Sequence, residues 1–209
     1  MINIVVADDH TIIREGIRQI MARTPDIKVT GEASSGSELR ATLLHSSFDV
    51  ILVDLNMPDV VGYELVALLA KENPSTPIVV LSFHDEGSVV SQAIKSGATG
   101  YVTKGSSPDV LVESIRKAAN GMKHVDPAVV GALVSDAWNI DTEDPQRILS
   151  ARELQILSMF ASGKNVGDIA DSLFLSPKTI STHKTNMMIK LQITNNADLI
   201  RYAAKHKMA

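Results

Sequence analysis

The chain has 209 residues, 44% hydrophobic and 21% charged, with a formal net charge of −4 and no cysteine. That length suits one large domain or two small ones, and the composition is that of an ordinary globular chain, which argues against disordered, collagen-like and coiled-coil classes. Without cysteine there is no disulfide, Cys-based zinc site or thiol nucleophile, and the composition fits a reducing compartment.

The first residues, Met1-Ile2-Asn3-Ile4-Val5-Val6-Ala7, form a short apolar run with no basic residue ahead of Asp8-Asp9, unlike a secretory signal. No stretch approaches the ~18 apolar residues of a membrane span, so a cytoplasmic location and no membrane partner are expected. Through residue 120, short apolar runs alternate with helical patterns. Residues 2–7, 27–32, 50–53, 78–81 and 100–102 read as strands, and the third and fourth are nearly all β-branched or Leu, as parallel strands covered on both faces require. Stripes three and four residues apart follow, such as Ile12, Ile13, Ile17, Ile20 and Met21, or Leu111, Val112, Ile115 and Ala118. Five strands alternating with five helices predict an α/β fold with a doubly wound, five-stranded parallel sheet of flavodoxin-like type.

Residues 121–149 change character. Asp126-Pro127 reads as a helix start, residues 128–138 as one short helix, and Asp141-Thr142-Glu143-Asp144-Pro145 as an exposed acidic linker. From Ser150 the pattern is helical throughout. Ser150 is placed to cap a helix bearing Leu154, Ile156, Leu157 and Phe160, which Gly163 would stop. A short helix is predicted over 166–172, and Ser176-Pro177 pairs a hydroxyl cap with proline at the first helical position. That third helix runs to about Leu191, and a fourth spans roughly 196–205. The expected organisation is a domain over 1–120, a linker over 121–148 and a small all-α domain over 149–209.

Charge divides along the same lines. Residues 1–120 hold 10 Lys/Arg against 15 Asp/Glu, residues 121–149 hold 2 against 5, and residues 150–209 hold 8 against 4. A basic end suits a polyanionic partner, and equally suits chance variation of a solvated surface. In the first domain, ligands of an open parallel sheet bind outside the carboxyl ends of the strands. Asp8-Asp9, Asp54, Ser82 and Lys104 fall at those ends. Singly, such residues also serve as helix caps, turn residues or solvated surface. Together, three carboxylates repel one another unless a counter-charge is present. Mg²⁺ relieves this with carboxylates, waters and a phosphate oxygen. Lysine holds a phosphate oxygen as a point charge, and a phosphoryl group in transfer needs such neutralisation. Asp54 on the central strand is then the natural nucleophile, giving an aspartyl phosphate.

These residues, in "VVADDH", "DVILVDLNMPD", "PIVVLS" and "GATGYVTK", resemble the receiver domain of bacterial two-component response regulators. The resemblance implies that Asp54 accepts a phosphoryl group from a phosphohistidine on a sensor histidine kinase or phosphotransfer protein. It implies Mg²⁺ held by Asp8, Asp9 and Asp54 with the backbone carbonyl of Asn56, Lys104 on the phosphate, and Ser82 with Tyr101 as a switch pair. Val60-Val61 depart from the more usual acidic or polar residue of the loop, which touches kinase preference. Asn56 and His84 stand where the family tunes hydrolysis of the phosphoryl group, His84 being expected in an exposed loop.

Residues 165–191 read as helix, tight turn, helix, an arrangement whose second helix can enter a major groove. A helical wheel places Ile180, Met187 and Leu191 on one face and Lys178, Ser181, Thr182, Thr185 and Ile189 on the other. No acidic residue lies between Asp171 and Asp198. By wheel and charge this is a groove-contacting surface or the polar face of an ordinary small bundle. The sequence "LSARELQILSMFASGKNVGDIADSLFLSPKTISTHKTNMMIKL" resembles the LuxR-type DNA-binding domain of NarL/FixJ-type response regulators. That implies Ser181, Thr182 and Thr185 facing bases, Lys178 and Thr179 on phosphate, a structural His183, Lys184 on the flank, and a homodimer when phosphorylated. Gly167 inside the short helix is expected to weaken it. The function expected is a phosphorylation-activated transcription regulator, with self-catalysed phosphoryl transfer its only chemistry. Its rivals are a constitutive DNA-binding protein whose receiver mediates contacts, and a Mg²⁺-dependent phosphohydrolase, which would want a carboxylate where Asn56 stands.

Overall fold

The computed structural model describes residues 1–60, 62–138, 149–191 and 193–206, with backbone only for 135–138. Two compact units divide the chain, Met1–Ala137 and Trp138–Ala209. The first runs β1 (Ile2–Ala7), α1 (Thr11–Ala22), β2 (Ile27–Ala33), α2 (Gly36–His45), β3 (Val50–Val53), α3 (Gly62–Glu72), β4 (Ile78–Ser82), α4 (Gly87–Lys95), β5 (Gly100–Thr103), α5 (Pro108–Ala119), β6 (His124–Val125) and α6 (Pro127–Trp138). All strand pairs are parallel, in the order β2-β1-β3-β4-β5-β6. The expected alternation is present, but the sheet has six strands where five were expected. The sixth is a two-residue edge in which Gly100 pairs with His124 and Tyr101 with Val125. A strand that short has no sequence period; pairing with β5 alone makes it visible.

Burial follows from position in the sheet. Every residue of β3 and β4 is buried, whereas edge strand β2 alternates between buried and exposed. Ile4, Val6, Leu52, Val79 and Val102 pack on one face with Ile17 and Met21 of α1 and Leu111 and Ile115 of α5. The alternate residues Val5, Ile51, Val53, Val80 and Tyr101 are as deeply buried on the other face. Strand order reverses between β1 and β3, so a crevice opens at their carboxyl ends. Gly62 starts α3 hard against the chain that leaves β3: a Cβ there would collide with the Leu55 carbonyl oxygen.

The segment expected as a linker contains β6 and α6, and its acidic stretch Asp141–Pro145 lies outside the described residues. The second unit contains α7 (Ala151–Ala161), α8 (Val166–Leu173), α9 (Pro177–Lys190) and α10 (Asn196–Lys205). Their starts are set by side-chain caps. Ser150 and Glu153 cap α7 reciprocally, Ser176 accepts from the Thr179 N–H ahead of α9, and Asn195 accepts from the Asp198 N–H ahead of α10. Gly163 ends the turn after α7 at φ +84°, a conformation that favours glycine. The short helix α8 forms despite Gly167, because Asn165 and Asp168 close a second reciprocal cap over its first turn. Among the described residues no helix is long and apolar enough to cross a membrane.

Candidate functional sites

The strand ends bring four expected residues together. Asp8 follows β1, Asp54 follows β3 and Lys104 follows β5, and backbone hydrogen bonds extend the ladders through them: Asp8 N–H to Ala33 O at 3.1 Å, Asp54 N–H to Ala7 O at 2.9 Å, Lys104 N–H to Ser82 O at 2.8 Å. The Lys104 ammonium lies 2.7 Å from Asp8 Oδ2 and 2.7 Å from Asp54 Oδ2, and none of these three side chains is more than 2% exposed. Asp9 joins from the rim. Burial pushes the Asp54 carboxyl above the ordinary carboxylate range, opposed by the Lys104 charge and hydrogen bond.

One ammonium faces three carboxylates, so the pocket keeps an excess of negative charge. One carboxylate oxygen from each of Asp8, Asp9 and Asp54 and a ring nitrogen of His10 lie within 4.8 Å of one another. Asp54 Oδ1 and Asn56 Oδ1 are buried without a hydrogen-bond partner among the described residues. A set of oxygen donors with unspent lone pairs fits a hard divalent cation. His10 was not anticipated from the sequence. Its Nδ1 lies 2.6 Å from Asp9 Oδ1 and 3.2 Å from Asp8 Oδ1, and its backbone N–H donates to Asp8 Oδ1 at 2.8 Å. Arg14 completes the surround by donating to the Asp8 carbonyl at 2.7 Å. The signal was adjacency: His10 immediately follows the acidic pair, and it, rather than Asp9, occupies the N-cap of α1.

Ser82 is fully buried at the end of β4, where its Oγ accepts from the His84 N–H at 3.3 Å. Tyr101 is buried with its ring inward and donates its hydroxyl to the His84 carbonyl at 2.8 Å; burial raises its pKa above the usual phenol range. His84 corrects the sequence expectation of an exposed loop residue. It is 6% exposed, with Nδ1 3.2 Å from Glu86 Oε2. The loop after β4 folds over Tyr101, and that contact is non-local.

In the second unit, Lys178, Ser181 and Thr182 are exposed on α9, while Thr179 and Thr185 are half-buried. The Thr182 hydroxyl donates to the Lys178 carbonyl and the Thr185 hydroxyl to the Ser181 carbonyl, each at 3.1 Å, and Thr179 Oγ1 lies 2.8 Å from Ser176 Oγ. His183 is half-buried, and the Lys184 ammonium sits 6.0 Å from the centre of the Phe160 ring. Ile189, expected on the outer face, is fully buried with Met187 and Met188. A wheel assigns one covered face, but a helix end is also packed by the turn that follows it, where Ile193 is buried and its N–H bonds the Met188 carbonyl.

A buried carboxylate pocket at the switch point of a parallel sheet, followed by a helix-turn-helix unit, defines a receiver joined to a nucleic-acid-binding module. The family description "Response regulator receiver domain" matches residues 4–116, and "Bacterial regulatory proteins, luxR family" matches residues 147–203. The chain belongs to the DNA-binding response regulators of two-component systems, of the NarL/FixJ type. It is 34% identical to the response regulator UvrY of Escherichia coli K12, over 99% of this chain and 95% of that one. It is 34% identical to the oxygen regulatory protein NreC of Staphylococcus carnosus, over 98% of each. Among solved structures it resembles RcsB of Salmonella enterica serovar Typhimurium bound to promoter P1flhDC with the phosphomimetic BeF3⁻, at TM-score 0.63 and 29% identity, over 96% of this chain and 97% of that one.

Proposed function

We propose that Asp54 is the phospho-acceptor of this regulator, charged by a sensor histidine kinase or a phosphotransfer protein, and that phosphorylation promotes a homodimer that binds DNA in the cytoplasm. The observation that carries this reading is the position of Lys104, with its ammonium 2.7 Å from both Asp8 and Asp54 in a closed pocket. A carboxylate oxygen of Asp54 attacks the phosphorus of a phosphohistidine, the P–N bond breaks, and the departing imidazole takes a proton. Water later attacks the same phosphorus and releases inorganic phosphate. The protein acts through position and charge. Asp8, Asp9 and Asp54, with the Asn56 carbonyl, would hold Mg²⁺, which when bound neutralises charge on the phosphoryl oxygens. Lys104 already faces Asp54 and exchanges a carboxylate oxygen for a phosphoryl oxygen with little motion.

Ser82 and Tyr101 form the switch pair in this reading. The Ser82 hydroxyl turns to the phosphoryl group, and the Tyr101 ring occupies the space it leaves. In this reading phosphorylation biases an equilibrium between ring positions rather than creating a new state. On the output side, residues 149–209 form the DNA-binding domain, behind a receiver whose compact unit runs past residue 120 through β6 and into α6. Lys178 and Thr179 contact phosphate, and Ser181, Thr182 and Thr185 face base edges.

The test is labelling of the full chain by a radiolabelled phosphodonor with Mg²⁺. Wild type takes up label, and Asp54→Asn takes up none while its circular dichroism is unchanged. Label retained in a folded Asp54→Asn protein overturns the acceptor assignment.

A further inference from the structure

Another buried carboxylate, Asp126, lies outside the acidic pocket. Asp126 stands between β6 and α6 and is 1% exposed. Its Oδ1 accepts from the Ala128 N–H at 2.9 Å, which caps α6. An N-cap needs only one oxygen. The other, Oδ2, accepts from the Thr103 N–H at 3.0 Å, from the Thr103 hydroxyl at 3.1 Å and from the Ser106 hydroxyl. The Thr103 and Ser106 hydroxyl oxygens lie 2.7 Å apart; with one proton each, the pair fills two of these three hydroxyl bonds at a time. A buried carboxylate is tolerated only when donors satisfy it, and here the donors come from two separate elements.

Those donors bracket Lys104, the residue that faces Asp8 and Asp54. The backbone of Asp126 reaches the other responding residue: its N–H donates to the Tyr101 carbonyl at 2.9 Å. On the far side, its carbonyl accepts from the N–H of Val129 at 3.0 Å, and Val129 is fully buried. One residue therefore holds Tyr101, the chain on both sides of Lys104, and the first turn of α6. The helix leads out of the receiver toward the DNA-binding unit in sequence.

We infer that Asp126 is a positioning residue that couples the phosphoryl site to α6, so that movement of the 103–106 segment is passed to the helix through the two oxygens of one carboxylate. This rests on the proposed function, because it takes Lys104 and Tyr101 as the residues that respond. A merely structural cap would hold α6 in place without carrying that response.

The substitution Asp126→Ser separates the two roles. A serine hydroxyl still caps α6, but one short oxygen cannot also serve Thr103 and Ser106. Ser106→Ala removes one bridging donor and leaves the cap untouched. Full-length wild type, Asp126→Ser and Ser106→Ala are each treated with Mg²⁺ and beryllofluoride. Hydrogen exchange is followed in the 103–107 segment and in residues 127–138, together with fluorescence of Trp138, the chain's only tryptophan and the last residue of α6. In wild type both segments respond. In Asp126→Ser the 103–107 segment still responds, while the α6 response falls on the order of tenfold, within the range of site-to-site couplings; Ser106→Ala falls between. An α6 response of wild-type size in Asp126→Ser overturns the coupling, and so does α6 already unprotected before ligand is added, which marks Asp126 as a cap alone. No response of either segment in wild type overturns the reading of the phosphoryl site, and the coupling with it.

Discussion

The two ends of this chain handle polar groups in opposite ways. At the receiver pocket the charged side chains are sealed in and fixed by several partners each: Lys104 by two carboxylates, Asp8 by Lys104 and His10. On α9 Lys178, Ser181 and Thr182 stand at the surface with Thr185 half-buried, and the hydroxyls of Thr182 and Thr185 rest on carbonyls of their own helix. The difference suits the two tasks proposed for them. Phosphoryl transfer needs charge placed before the reaction begins, since a preorganised site does not reorganise at the moment of transfer. Groove contact needs side chains that can turn from a helix carbonyl to a base edge with little energetic change.

The largest effect is expected at Lys104. Lys104→Met leaves Asp8 and Asp54 buried without their cation, and removing one partner of a buried ion pair costs about 3–5 kcal/mol. Thermal unfolding at neutral pH should show that loss, and Mg²⁺ should return more stability to the variant than to wild type. A variant as stable as wild type in metal-free buffer would mean that the pocket is not held by charge.

Gly62→Ala sharpens the same side without changing any charge. The added methyl meets the Leu55 carbonyl, and overpacking of this kind costs about 1–3 kcal/mol. Because the displaced segment leads from Asp54 to Asn56, Mg²⁺ affinity measured by calorimetry should fall together with the unfolding midpoint. Unchanged affinity would separate the loop from the pocket.

Asp126→Asn is expected to be milder, about 1 kcal/mol, because Asn still caps α6 while its NH2 cannot accept the hydrogen bonds that Thr103 and Ser106 give to the carboxylate, and it carries a definite pH signature. Hydrogen bonds from Ser106, Thr103 and Ala128 outweigh burial and hold the carboxyl below its ordinary value. A folded-state pKa below the unfolded one means that the ionised group stabilises the fold above the unfolded value of ~3.9. That contribution is lost as pH falls through the lower folded value. The gap between wild type and Asp126→Asn in urea unfolding should be widest near neutrality and close in acid. A gap that widens in acid would reverse the assignment.

The smallest effect on stability belongs to α9. Thr182→Ala with Thr185→Ala should change stability by no more than about 0.5 kcal/mol, as for surface sites. The same pair should weaken specific DNA binding more than non-specific binding, measured at one salt concentration because phosphate contacts make affinity salt-dependent. Equal loss on all sequences would remove these residues from base recognition.

Most of the pocket was legible because each member ends a strand, and a short run of mostly apolar residues announces its end in sequence. Asp54 after β3 and Lys104 after β5 needed only the sheet rule to be brought together. His10 escaped because its one signal, adjacency to the acidic pair, fits a histidine that opens a helix equally well. His84 escaped because its cover is Tyr101, seventeen residues further along the chain.

By itself the sequence determined the alternation of strands and helices in the receiver, the ends of the helices in the second unit and the chemistry placed at the strand ends. Those depend on local period and on caps written within a few residues, such as Ser150 with Glu153 or Ser176 with Pro177. Only the tertiary structure decided the sixth strand, the burial of His84 and Ile189, and the double duty of Asp126. Each of these depends on a partner brought in by folding, and the free energy of a buried polar group is set by whichever donors arrive around it, not by its neighbours in the chain.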